Sequence, residues 1–157
     1  MISVRTILYP TDFSDRSQVA FDVACALAQA NGAKLVVLHV NDSALALSTD
    51  EAEVRKLEQN LNERLHALRP ADAAIAVDHR LVEGNPPLVI LSEAEEQSAD
   101  LIVMGTHGHT GLVRALMGSV AEEVVRRANC PVVTVKTQPA RRPVKRHVMS
   151  TAAVPVM

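Results

Sequence analysis

The stretch MGTHGHTGLVRALMGSV, residues 104–120, holds four of the chain's six glycines, two histidines and no acidic side chain. It follows the apolar run Asp100-Leu101-Ile102-Val103 and leads into a segment carrying Val120, Val124 and Val125. A strand, then a glycine loop, then a helix is the setting in which backbone amides and a helix N-terminus hold phosphate. Glycine lets the main chain adopt positive φ and approach an anion without a Cβ in the way. Ser119, in the first helical turn, can add a hydroxyl donor, and the missing carboxylates remove repulsion. A flexible surface connection is the plain alternative, so the rest of the chain has to decide.

Two common phosphate loops are excluded. A Walker A loop needs Gly-Lys, and no such pair exists in this chain. The dinucleotide fingerprint G-x-G-x-x-G is absent as well, because Gly105, Gly108 and Gly111 are each three apart. What stands is G-x2-G-x9-G-S, from Gly105 through Gly108 to Gly118-Ser119. His107 and His109 make an H-x-H pair with no Cys, Asp or Glu nearby in sequence, so loop hydrogen bonding is favoured and no metal ligand is assigned.

Working outward, five apolar runs read as strands: Thr6–Tyr9, Lys34–Val40, Ala74–Leu81, Asp100–Met104 and Pro131–Lys136. Helical patterns fall between most of them. The first spans about Asp15 to Ala30, with Ser14 as N-cap, Val19, Val23, Ala24 and Leu27 facing inward, and Gly32 past its end. A second carries Val54, Leu57, Leu61, Leu65 and Leu68 on one face. A third opens at Asn85-Pro86, where proline's missing N–H costs nothing, and a fourth near Gly118-Ser119. Alternating strands and helices require right-handed crossovers and a mainly parallel sheet. The expected fold is α/β: an open, doubly wound, Rossmann-like sheet of five strands with helices on both faces. Ligands in such sheets lie outside the carboxyl ends of the strands, where the strand order reverses. Pro10-Thr11-Asp12, Val40-Asn41 and Gly105 onward fall on that rim.

Bulk numbers agree. The 157 residues suit one domain, and with 48% hydrophobic but 2% aromatic residues the core must be aliphatic. No run of ~18 apolar residues is present, and the N-terminus lacks a signal-peptide layout, so a cytoplasmic location is expected. Neither Cys25 nor Cys130 belongs to a C-x-x-C pair, and both read as small core residues. The last 22 residues hold five basic side chains and no acidic one, while the first 135 carry 11 basic against 18 acidic, net −7. An acidic body with a basic tail is not the footprint of a nucleic-acid-binding face. Residues 1–137 are expected to form the domain and 138–157 a disordered basic tail.

Taken together, "ILYPTDFS", "KLVVLHV", "ADLIVMGTHGHTGL" and "MGSVAEEVVRRANCPVVTVK" are specific in order and spacing. Over residues 1–136 the chain resembles the universal stress protein family, in the adenine-nucleotide-binding branch that keeps G-x2-G-x9-G-[ST]. The resemblance implies an ATP pocket, with Mg²⁺ as a companion of the triphosphate. Pro10, Thr11 and Asp12 would line the adenine and ribose end, with Val40 beside the base. Gly105, Thr106, His107, Gly108, His109 and Thr110 would wrap ribose and phosphates, and Gly118, Ser119 and Val120 would grip the phosphate end. Met104 reads first as gap-filling packing and second as an adenine contact. The resemblance also implies a homodimer through strand 131–136. His109 stands where the family often has a basic side chain, and the tail matches nothing in the family.

Asp12 reads equally as a cap of the next turn, and His39 as a satisfied strand histidine rather than a base. Three functions remain in view: an ATP-binding stress-response regulator, a slow Mg²⁺-dependent ATPase, and a dimeric scaffold that uses no nucleotide. The retained glycine motif favours the first. No arginine finger or general base is identifiable by spacing, which disfavours the second.

Overall fold

The computed structural model describes residues 3–42, 50–106 and 117–136. His107, Gly108, His109 and Thr110 lie outside the described residues, as does the basic tail 138–157. The element order is β1 (Thr6–Pro10), α1 (Asp15–Asn31), β2 (Lys34–Asn41), α2 (Glu51–Ala67), β3 (Val77–Glu83), α3 (Pro86–Glu96), β4 (Leu101–Gly105), α4 (Ser119–Arg127) and β5 (Val132–Val135). All pairings are parallel and the order across the sheet is β3-β2-β1-β4-β5. Chain growth runs one way from β1 to β3, then jumps back past β1 to β4. The reversal therefore sits between β1 and β4.

Register and pleat split the sheet's side chains into two cores. Ile7 pairs with Leu35 and Leu101, and these pack with Tyr9, Val37 and Val103 under α1 and under Leu65 of α2. One residue along, Leu8 pairs with Val36 and Ile102, and these join Leu38 and Met104 beneath Ile90 and Ala94 of α3 and Ala121 and Val124 of α4. Successive residues alternate faces, so the central positions of β1, β2 and β4 (Ile7–Tyr9, Leu35–Leu38 and Leu101–Met104) are apolar in unbroken runs that serve both layers.

Local chemistry sets the ends. Ser14 accepts the Ser17 N–H as N-cap of α1, and Gly32 ends that helix at φ 61° with its N–H on Ala28 and Gln29 carbonyls. Asn85 caps α3 ahead of Pro86. Gly84, at φ 149°, leaves no room for a side chain, since a Cβ there would lie 2.8 Å from Val89.

Three expectations are corrected. Val19 is not inward but 40% exposed; α1 presents Ser17, Ala20, Phe21, Ala24 and Ala28 to the sheet. That stripe is small apart from Phe21, which lets the helix lie close over the central strands. On α2 only Leu61 and Leu65 are buried, while Val54 and Leu57 remain exposed. Strand β3 also starts at Val77 rather than Ala74, because Asp72 forms a turn, its carboxylate accepting the Ala74 N–H and its carbonyl the Ile75 N–H. It then runs two residues past Leu81, paired with β2 as far as Glu83. Among the described residues, no helix is long and apolar enough to cross a membrane.

Candidate functional site

A cleft of about 490 Å³ opens at the carboxyl ends of β1, β2 and β4, where the strand order reverses. It lies within the size range of small-molecule sites. Of the residues singled out by sequence, it brings together Pro10, Thr11, Asp12, Val40, Met104, Gly105, Thr106, Gly118, Ser119 and Val120.

The β1 end is a tightly hydrogen-bonded turn. Thr11 is buried; its N–H donates to Leu38 O at 2.8 Å, and its hydroxyl lies 2.9 Å from Ser17 Oγ while accepting the Phe13 N–H. Asp12 Oδ1 accepts from both the N–H and the hydroxyl of Ser14, at 2.9 and 2.6 Å. Asp12 thus braces the N-cap of α1 while lining the cleft, so its capping role and its place at the rim coexist. Tyr9, fully buried one turn below, donates to Ser17 O at 2.6 Å, and burial raises its pKa. Phe13 sits at φ 63°, a conformation rarely taken by a bulky residue.

His39, from β2, is half-buried at the rim rather than in the core. Its Nδ1 lies 2.8 Å from Thr11 O, and a carbonyl can only accept, so Nδ1 carries the proton. Its ring lies 4.3 Å from that of Phe13.

At the β4 end, Thr106 joins the sheet to the start of α4. Thr106 donates its N–H to Val135 O and accepts the Gly118 N–H at 2.5 Å, so the chain leaves and re-enters at one point on the cleft. Gly118 is the N-cap of α4 and supplies no side-chain cap. Among the described residues, the first amides of α4 therefore lack the N-cap side-chain partner that Ser14 and Asn85 give α1 and α3. Positive φ, expected at the loop glycines, is not found at Gly105 or at Gly118, which has φ −69° and ψ 161°. At Gly105 an added Cβ would meet the backbone of Arg16 and Ser17 at 3.6 to 3.8 Å, ordinary contact, so this glycine lies against the start of α1. Met104 is buried in the α3/α4-side core yet borders the cleft.

Sequence reasoning missed Phe13 and Arg64, which meet in the cleft wall with the guanidinium carbon 4.4 Å from the ring centroid. A signal existed for Phe13: it is one of three aromatic residues in the chain and lies in a predicted loop beside Asp12. Arg64 stands one turn beyond Leu61, whose inward face it shares at helical spacing. Among the described residues, no group of three or more His, Cys, Asp or Glu side chains could hold a metal ion. Both cysteines are free and half-buried away from the cleft, and burial followed by Asp22 pushes the Cys25 thiol up to about 11.

The model of the universal stress protein family matches residues 3–136. The universal stress protein MJ0577 of Methanocaldococcus jannaschii is 30% identical over 156 residues, covering 86% of this chain and 96% of the relative. The solved structure of MJ0577 superposes with a TM-score of 0.80 at 31% identity, over 88% of this chain and all of the other. A Thermus aquaticus universal stress protein is 38% identical over 136 residues, 84% of this chain and 98% of its own. A universal stress protein solved in complex with cAMP is 29% identical, with a TM-score of 0.60 over 87% of this chain and 99% of the other. Fold and sequence agree, and the chain belongs to the universal stress protein family.

Proposed function

We propose that the protein binds ATP in the cleft at the carboxyl ends of β1, β2 and β4, and that the bound nucleotide governs its role in the stress response. The observation that carries this reading is the N-terminus of α4, without a side-chain cap among the described residues, at Gly118 and Ser119, sharing one cleft with Thr11, Asp12 and Val40. Helix amides without a side-chain partner favour an anion, and the polar turn across the cleft suits ribose hydroxyls. The related protein solved with cAMP supports an adenine nucleotide as the ligand class. In this reading Pro10, Thr11, Asp12, Val40 and Met104 take the base and ribose. Gly105, Thr106 and the 107–110 segment take ribose and phosphates, and Gly118, Ser119 and Val120 the phosphate end. Mg²⁺ would be carried by the triphosphate, and Asp12 would offer a carboxylate to one of its waters. The protein acts in the cytoplasm as a homodimer joined along the outer edge of β5.

Gly118→Val tests the site with little backbone strain, since φ −69° and ψ 161° suit any residue. Calorimetry on nucleotide-stripped protein is expected to show micromolar ATP binding by the wild type and none by the variant, with the unfolding temperature nearly unchanged. A variant that binds ATP as tightly as the wild type overturns the site.

A further inference from the structure

The lining of the cleft is electrostatically lopsided. Among its described residues, Asp12 and Asp42 bring two carboxylates and Arg64 the one full positive charge. A polyanion entering this cleft meets those carboxylates, and among the described lining residues Arg64 is the side chain that brings a full positive charge toward it. Arg64 comes from α2, on the sheet face opposite α4, and falls outside the glycine motif altogether.

Its surroundings show a side chain held but not consumed. The guanidinium rests over the Phe13 ring at 4.4 Å, and that ring is itself packed 4.3 Å from the ring of His39. Phe13 reaches this place by taking φ 63°, its N–H fixed on Thr11 Oγ1 at 3.0 Å. Among the described residues Arg64 makes no hydrogen bond and no ion pair, so the aromatic face orients it while its N–H fork stays available. A planar guanidinium whose donors are uncommitted is matched in geometry to phosphate oxygens, which it can bind in pairs.

We infer that Arg64 is an anion-binding residue of the cleft, positioned by Phe13, and that it makes affinity rise with the number of phosphates on the ligand. This rests on the nucleotide reading above and adds a residue to it.

The test is a calorimetric series of adenosine, AMP, ADP and ATP against wild type, Arg64→Gln and Arg64→Lys. Arg64 is exposed, so both variants should fold, and thermal unfolding checks that they do. Arg64→Gln is expected to weaken ATP by about tenfold or more, with the loss falling through ADP and AMP to its least for adenosine. Arg64→Lys should recover part of the loss, and added salt should narrow the gap between wild type and Arg64→Gln for ATP. Equal losses for adenosine and ATP, or no loss at all, overturn the assignment of Arg64 while leaving the cleft as the nucleotide site. A wild type that binds none of the four ligands removes the nucleotide reading itself.

Discussion

Asp100 ties two strand starts together with a single oxygen. Its Oδ2 accepts the N–H groups of Arg5 and Thr6 at 2.8 and 3.0 Å, while its own N–H donates to Thr6 O. Those two backbone bonds stabilise the charged form, and the carboxyl pKa is accordingly lowered. A depressed folded-state pKa contributes stability that is present above the unfolded value and lost as pH falls through the folded one. Asp100→Ala is therefore expected to destabilise at neutral pH by no more than about 1 kcal/mol, because both bonds lie near solvent. The deficit should begin to shrink below about pH 4, where the unfolded chain's Asp100 protonates, and close further as pH falls through the lower folded value. Urea midpoints of the two proteins across that range check it, and a deficit that stays constant on acidification contradicts it. Single residues of this kind were poorly legible in the sequence. Nothing local marks Asp100 as the partner of residues 95 and 94 positions away, nor shows that Phe13 takes the left-handed region.

At the scale of elements, helix ends were read well because their chemistry is local. Ser14, Gly32, Asn85 and Gly118 each act within a few residues of their own position. Faces were read less well. Periodicity alone places Val19 inward, yet the tertiary choice is a smaller stripe that lets α1 approach the sheet. The contact of α3 with the sheet edge also escaped the pattern. Glu93 on α3 is buried and holds Arg80 of β3 through two bonds, at 2.5 and 3.1 Å. Glu93 raises the Arg80 pKa, chiefly through the hydrogen bond. Arg80 is about one-third exposed, so the pair is anchored mainly by its acidic partner. Arg80→Met leaves that carboxylate without its cation, and a loss of about 2 kcal/mol is expected, below the usual figure for a fully buried pair. Replacing both residues, Arg80→Met with Glu93→Met, should recover much of that loss, since two apolar groups leave nothing uncompensated. Denaturant unfolding of the three variants checks this. A double variant less stable than Arg80→Met would show that the ion pair itself, not the avoidance of an orphaned carboxylate, holds α3 to β3.

For the whole molecule, topology made the candidate cleft legible before any side chain was located. A parallel sheet that reverses between β1 and β4 leaves a crevice there, and Thr11, Asp12, Val40, Gly105 and Gly118 line it as their places on strand ends imply. Arg64 was not legible, because which turn of α2 overhangs the crevice depends on how α2 packs across β2 and β3. The same topology leaves β5 with one outer edge, and that edge bears on the proposed dimer. Pro131 O and Val135 O accept from Ile102 on β4 and from Thr106 just past it, so by the alternation of a parallel ladder Val132 and Thr134 turn their backbone groups outward. A second β5 would pair with those groups. Thr134→Pro removes one outward donor while leaving the bonds to β4 intact, which is how edge strands tolerate proline. Sedimentation equilibrium is expected to show a dimer for the wild type and a monomer for the variant, with helical circular dichroism retained. If the variant sediments as the wild type does, β5 is not the seam. If dimerisation and ATP binding are lost together, the link runs through Thr106, whose N–H is held by Val135 O and whose carbonyl holds Gly118 at the start of α4.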